Sequence, residues 1–339
     1  MPLTVITCDR FVDHITPPGH PERVERAEAM QVVSDRWSKS GGATLTPRVA
    51  TDDELMRVHR AAYVESIKER RGGAAMLDPD TFMSPDSDEV ARLAAGAVLT
   101  AVDHVLDGPR GTRAFAILRP PGHHAEADRA MGFCLYNSIA VGAAAARARG
   151  LSRVAIVDYD VHHGNGTQSM FYDDPTVLFV SSHQYPFYPG TGAATDTGTG
   201  EGVGYTVNCP LEVGATDADF DLVYREAVIP VLQQFKPQLL LVSAGFDAHE
   251  RDPLAGMRMT TNGIGRLTTR LMRAADELCE GRMVLVSEGG YDTSALAACC
   301  QHVIDLASAD TVASLEPLAG DTRRGQHTLS DVRKTRRIG

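Results

Sequence analysis

Two kinds of apolar segment alternate along this chain, and their alternation limits the folds open to it. Short, nearly continuous apolar runs rich in β-branched residues occur at Leu3–Cys8, Ala114–Leu118, Val154–Val157, Val177–Ser181, Leu239–Ser243 and Met283–Ser287. Runs of this kind have no exposed face, which is how the strands of a buried parallel sheet read. Between them lie longer stretches of helical character at Glu22–Ser38, Asp53–Arg70, Asp86–Leu106, Ser138–Arg149, Asp219–Phe235 and Gly263–Glu280. Strands alternating with helices, with no dividing linker and no internal repeat, predict one doubly wound α/β domain over residues 1–320, its mostly parallel sheet flanked by helices. Ligands of such sheets bind beyond the carboxyl ends of the strands. The residues richest in chemistry follow four of those ends, at Arg119–Ala125, Asp158–Gly166, Ala244–Leu254 and Glu288–Asp292.

Composition narrows the setting. Met1–Arg10 lacks the charged and then apolar regions of a signal peptide. The best apolar stretch, Leu93–Leu106, is interrupted by Asp103 and His104 and is too short to span a bilayer. Six cysteines form no C-x-x-C pair, so thiolate metal knuckles and dithiol redox motifs are excluded and a reducing cytoplasm is expected. A net charge of −11 argues against nucleic-acid binding by the main body and leaves basic partners open. Residues 321–339 run the other way: Arg323, Arg324, Arg333, Lys334, Arg336 and Arg337 against Asp321 and Asp331 leave +4. This basic tail is read as solvated or partly docked rather than as a binding arm.

The segment Asp158-Tyr159-Asp160-Val161-His162-His163-Gly164-Asn165-Gly166 is the most informative. If the strand stays extended through it, Asp158, Asp160 and His162 share one face, and a carboxylate and an imidazole two residues apart can grip one metal. His163 then points away and is read as a hydrogen-bonded structural histidine. Asp247, just past another strand, is either a helix N-cap or the third ligand; as a ligand it completes a three-residue catalytic site with open coordination. Two carboxylates and one imidazole suit Zn²⁺ and also Fe²⁺. His123 and His124 follow the stiff Pro120-Pro121 turn and are candidates for the base that takes a proton from water and the acid that gives one to a departing amine. Asp158 and Asn165 are candidate partners that orient the two rings and set their pKa values apart. Tyr291 follows paired glycines and is either an oxyanion donor or a packed core tyrosine.

Taken together, R-P-P-G-H-H-A, G-F-C-L-Y-N (Gly132–Asn137), D-Y-D-V-H-H-G-N-G-T-Q (Asp158–Gln168), S-A-G-F-D (Ser243–Asp247), D-P-L (Asp252–Leu254) and E-G-G-Y resemble the arginase/deacetylase superfamily. Within it, the chain is similar to the class II histone deacetylases and their bacterial amidohydrolase relatives, from about His20 to Tyr291. The resemblance implies a deacetylase-type hydrolase with zinc on Asp160, His162 and Asp247, His124 as base and then acid, and His123 with Asp158 in a more electrostatic role. It implies that Tyr291 polarises the scissile carbonyl, that Phe133 and Tyr188 line an acyl-lysine tunnel, and that Gly132 offers its carbonyl to the substrate N–H. A potassium ion is implied at Asp158, Asp160, His162, Ser181 and Ser182, with a second such site at Phe171, Asp174 and Val177. Asp80 matches a rim carboxylate that holds the substrate backbone, and Arg26 a channel for the released acid.

Three functions compete under that resemblance: an acyl-lysine deacylase acting on proteins or peptides, an acetylpolyamine or other small-molecule deacylase, and an inactive acyl-lysine binder. Tyr291 counts against the last, since weakly active relatives carry histidine there. Polyamine-selective relatives carry a gatekeeping glutamate where this chain has Leu254, and their narrowing insert is missing from His14–Arg23. An acylated lysine is therefore the expected substrate.

Overall fold

The apolar runs become parallel strands buried on both faces, as their lack of polar alternation requires. In the computed structural model, which describes residues 3–335, the strands are β1 (Leu3–Ile6), β2 (Ala43–Leu45), β3 (Ala75–Met76), β4 (Phe82–Met83), β5 (Arg113–Ala116), β6 (Val154–Asp158), β7 (Val177–Gln184), β8 (Thr206–Leu211), β9 (Leu239–Ala244) and β10 (Met283–Ser287). Eight of them form one parallel sheet in the order β2-β1-β5-β10-β9-β6-β7-β8, while β3 and β4 make a small antiparallel ribbon.

Helices cover both faces, so the chain has the expected α/β architecture. On one face Met30, Val33 and Trp37 of helix Val24–Lys39 join side chains of Thr261–Leu278 and Thr293–Ala307. On the other, helices Ser87–Asp107 and Ser138–Ala148 pack Val98, Val102, Ile139 and Ala143 against the sheet. Among the described residues, no helix is long and apolar enough to cross a membrane. All six cysteines are free thiols.

The elements depart from the sequence expectation in instructive places. The single helix expected over Asp53–Arg70 is two, Asp52–Leu55 and Ala61–Lys68. Between them His59 turns inward, its Nδ1 3.0 Å from the Glu126 carbonyl and its Nε2 accepting from Asn137 N at 2.9 Å, while Arg60 N donates to Ala127 O at 2.7 Å. These tertiary bonds replace the helical ladder. The helix expected over Asp219–Phe235 starts earlier, at Asp217, on a Thr216–Asp219 capping box. It widens into a π turn at Tyr224–Val228 before Pro230, which has no N–H to donate. Strands β2 and β8 and the helices Asn165–Met170, Thr293–Ala307 and Arg323–Thr335 were not expected.

The last of these helices carries the basic segment. It buries Leu329 and Val332, Thr328 Oγ1 donates to Pro210 O of β8 at 2.6 Å, and its Gly325 N donates to Asp219 Oδ1 at 2.9 Å. Arg336 and Arg337 lie outside the described residues.

Candidate active site

The four segments singled out above follow β5, β6, β9 and β10, which are neighbours in the sheet, so their loops meet on one rim. Register sets Asp158 beside Ser243 of β9 and Ser181 of β7. The extended run expected through His162 is absent, because β6 stops at Asp158. Instead Asp160 N donates to Asp158 Oδ1 at 3.1 Å and His162 N to Asp160 Oδ1 at 2.9 Å. These two side-chain-to-backbone turns, rather than strand alternation, bring Asp160 and His162 to one point.

Asp247 reaches the same point from the end of β9. The candidate ligand atoms of Asp160, His162 and Asp247 all lie within 4.8 Å of one another, and all three residues are buried. His162 Nδ1 is 3.2 Å from both Asp160 Oδ1 and Asp247 Oδ2. Backbone donors hold the remaining oxygens: Val161 N to Asp247 Oδ1 and Gly289 N to Asp160 Oδ2, each at 2.8 Å. A Cβ on Gly289 would sit 2.0 Å from Asp247 Oδ2, and one on Gly245 would sit 2.1 Å from Asp160 Oδ2. Two buried carboxylates this close repel strongly unless a cation joins them. The oxygen and nitrogen donor set fits a divalent metal.

Beside this cluster the rings of His123 and His124 have centroids 4.0 Å apart. His123 Nδ1 is 3.0 Å from Asp158 Oδ2, and its Nε2 is 3.7 Å from Asp160 Oδ1. Burial works against its imidazolium, but the Asp160 and Asp158 carboxylates outweigh burial and raise its pKa. His124 Nδ1 is 2.8 Å from Asn165 Oδ1. Burial first, then the neighbouring rings of His123 and His162, push its pKa well down, so it rests neutral. His163 faces away, with Thr191 Oγ1 at 2.8 Å and Gln168 Oε1 at 3.0 Å.

A cavity of about 200 Å³ opens onto this cluster, lined by Asp80, His124, Gly132, Phe133, His162, Phe187, Tyr188, Leu254 and Tyr291. The structure thus gathers every proposed substrate contact around one space. Gly132 (φ 57°) and Phe133 (φ 70°) are both left-handed, and a Cβ on Gly132 would lie 2.4 Å from the His124 ring. Asp80 Oδ1 accepts from Gly132 N at 3.1 Å, and burial followed by nearby Asp78 pushes its carboxyl up to about 6. The Tyr291 ring meets Phe133 edge-on at 5.8 Å, and burial keeps its hydroxyl protonated.

Several residues around the site make contacts the sequence did not reveal. Phe187 stacks on His162 at 5.4 Å and 17°. Asp252 accepts from Tyr291 N at 2.6 Å and fixes the turn that presents the tyrosine. Glu288 Oε2 accepts from Gly122 N at 2.6 Å and His123 N at 3.2 Å, tying β10 to the histidine turn. Arg26 is fully buried, donates to the carbonyls of Glu288 and Gly290, and lies 5.0 Å from the Tyr291 ring centroid. Glu22 anchors both Arg26 and Arg119, at 2.9 and 2.6 Å. For Glu22, Asp252 and Glu288 an acidic residue beside proline or glycine is the one signal in the sequence.

Of the residues assigned to potassium, Asp160 and His162 belong to the cluster itself, while Asp158 pairs with Ser181 across the sheet and Ser182 Oγ donates to Asp158 O at 3.4 Å. At the second position Asp174 N donates to Phe171 O at 3.1 Å and Val177 N to Asp174 O at 3.5 Å, which tightens that turn.

Residues 18–307 match the histone deacetylase domain family. A probable deacetylase of Archaeoglobus fulgidus is 38% identical over 290 residues, covering 85% of this chain and 80% of the relative. A histone deacetylase-like amidohydrolase of Pseudomonas aeruginosa is 40% identical over 306 residues, covering 88% of this chain and 80% of the relative. The crystal structure of the HDA15 HD domain superposes with a TM-score of 0.88 at 34% identity, covering 98% of this chain and 95% of that one.

Proposed function

The chain belongs to the histone deacetylase family, and on that premise we propose that it is a zinc-dependent hydrolase that removes acetyl or related acyl groups from lysine ε-amines of proteins or peptides. Its relatives already place it among deacetylases and amidohydrolases. The observation that carries the finer reading is the cavity itself. Its lining joins the aromatic rings of Phe133, Phe187 and Tyr188 and the apolar Leu254 to His124, His162 and Tyr291. Flat aromatic walls suit the alkyl stem of an acylated lysine. An apolar Leu254 offers no counter-charge to the second ammonium of an acylpolyamine.

In this reading Asp160, His162 and Asp247 hold the zinc, which when bound supplies Lewis-acid activation of water and carbonyl. Neutral His124, with Nδ1 toward Asn165, receives the proton of the attacking water on Nε2. As the tetrahedral intermediate collapses, the same nitrogen returns that proton to the leaving amine, the new carboxylic acid gives up its own proton to that amine, and a carboxylate and an ammonium depart. His123, paired with Asp158, stays charged and stabilises developing negative charge. Tyr291 donates its hydroxyl to the carbonyl oxygen as that oxygen gains charge. The Gly132 carbonyl takes the substrate N–H, and Asp80 holds the substrate backbone at the rim. Asp158, Asp160, His162, Ser181 and Ser182 would hold a structural potassium ion.

Two measurements test this. Asp247→Ala is expected to lose bound metal and activity together, since a three-ligand site tolerates no vacancy; full zinc by elemental analysis in that variant rejects the ligand set. A panel of acetyl- and longer acyl-lysine peptides against acetylputrescine and acetylspermidine is expected to favour the peptides in kcat/KM. Preference for the polyamines transfers the assignment to small-molecule deacylation, and Fe²⁺ rather than Zn²⁺ in the purified active protein changes the metal alone.

A further inference from the structure

The partner of His124 is itself held from behind, and that bears directly on how His124 works. Asn165 is an amide, with an acceptor on one side and a donor on the other, and its flip decides which of them His124 meets. Its Nδ2 donates to Glu126 Oε1 at 2.8 Å, Met131 Sδ at 3.3 Å and the His124 carbonyl at 3.4 Å. A carboxylate, a thioether and a carbonyl can only accept. The NH₂ of Asn165 is therefore committed to that side, and Oδ1 faces His124 Nδ1 at 2.8 Å. An oxygen there requires the proton on Nδ1, which leaves the Nε2 lone pair free toward the cavity.

The strongest of the three acceptors is Glu126, because a charged acceptor roughly doubles the strength of a hydrogen bond. It is itself held in place. Arg129 Nη2 pairs with the same oxygen at 2.8 Å, Glu126 N donates to Arg129 O at 3.0 Å, and His59 Nδ1 lies 3.0 Å from the Glu126 carbonyl. Most of the Glu126 side chain is covered, while Arg129 is largely exposed.

We infer that Glu126 is a positioning residue that fixes the tautomer of His124 through Asn165. It touches neither substrate nor metal ligand. Its effect is to make one imidazole nitrogen available as an acceptor before substrate arrives. The inference rests on the reading of His124 as the base.

Glu126→Gln keeps length and shape, but the new amide can turn and donate to Asn165 Oδ1, which releases the flip. Its kcat is expected to fall about tenfold with KM little changed, equivalent to about 1.4 kcal/mol. In metal-loaded protein labelled with ¹⁵N-histidine, the His124 signal, assigned by its loss in His124→Gln, should move from Nδ1-protonated toward Nε2-protonated. The double variant Glu126→Gln/Asn165→Asp rebuilds the polarity, since the new amide donates to the new carboxylate and that carboxylate accepts from His124 Nδ1. Measured above the acidic limb, which the new carboxylate moves upward, it should recover kcat to within about threefold of wild type, whereas Asn165→Asp alone, with two carboxylates facing each other, stays slow at the same pH; such a cycle isolates the coupling. Slowing caused by general loosening of the loop would not be rescued by the second substitution.

A Glu126→Gln variant with wild-type kcat, or an unchanged His124 tautomer, overturns the inference. So does a double variant no faster than Asn165→Asp. If these occur while His124→Ala is inactive, the base assignment stands and only the role of Glu126 is lost. If His124→Ala is active, the base assignment falls and takes the inference with it.

Discussion

His123 and His124 are adjacent in the chain, stand on the same turn and have rings 4.0 Å apart, yet they occupy opposite electrostatic settings. The Nδ1 of one meets the carboxylate of Asp158, and the Nδ1 of the other meets the amide of Asn165. The first ring is held toward its charged form by carboxylates, and the second is held neutral by burial and by the charged ring of His123. The difference teaches that the imidazole is not what assigns the role. A charged partner makes a fixed cation, and a neutral one leaves a group free to accept and return a proton.

The comparison breaks most visibly when each ring is deleted. His124→Ala should lower kcat by about 10³-fold, within the range for a lost acid–base group. His123→Ala should cost markedly less. Equal losses, measured by steady-state kinetics on metal-loaded protein, would erase the distinction between the two rings. Tyr291→Phe leaves both rings alone and should cost about 10²–10³-fold in kcat, as for other lost oxyanion donors. Its pH–rate profile should keep the wild-type shape, and a shifted profile would mean that the tyrosine acts on a histidine instead. The smallest effect comes from making the two settings alike. Asn165→Asp places a carboxylate against His124, stabilises its imidazolium and raises its pKa. The inactive protonated form then persists to higher pH, so the acidic limb of kcat/KM moves upward. An unmoved limb would show that the partner's charge does not govern His124.

Much of the architecture was legible because buried parallel strands announce themselves. Met283–Ser287 was expected with its observed bounds, and five other strands were found within a few residues. The elements without a sequence signature either lack a buried apolar run or are set by distant partners. Strand β8 contains Asn208, Cys209 and Pro210, and as the edge of the sheet it is not bound to be continuously apolar. Strand β2 has three residues, all exposed. The break at His59 is imposed by partners far away in sequence, so no local pattern records it.

The site divides in the same way. Asp160, His162 and Asp247 could be singled out because a carboxylate and an imidazole two residues apart, with a third carboxylate past another strand, complete a three-ligand metal site. The geometry that unites the first two could not, since it depends on side chains bonding back to the backbone where the strand stops. Phe187 sits in an irregular loop, and Glu126 matters only through whom it touches.

The docking of helix Arg323–Thr335 on β8 has a consequence for the protein's behaviour in bulk. An edge strand presents an unpaired row of amides and carbonyls to which a like strand can add. Here Thr328 holds the Pro210 carbonyl, Arg324 donates to Val213 O, and His327 lies 2.9 Å from Glu212 just beyond the strand. The helix is thus a sheath over the sticky border of the sheet, on the far side of β7 from the chemistry. Trimming the chain after Asp321 should leave the catalytic loops in place and instead make the protein self-associate, which light scattering at rising concentration would register. The basic segment read from its charge as a solvated or partly docked tail is docked, and its position over β8 makes it a means of keeping copies of the same molecule apart.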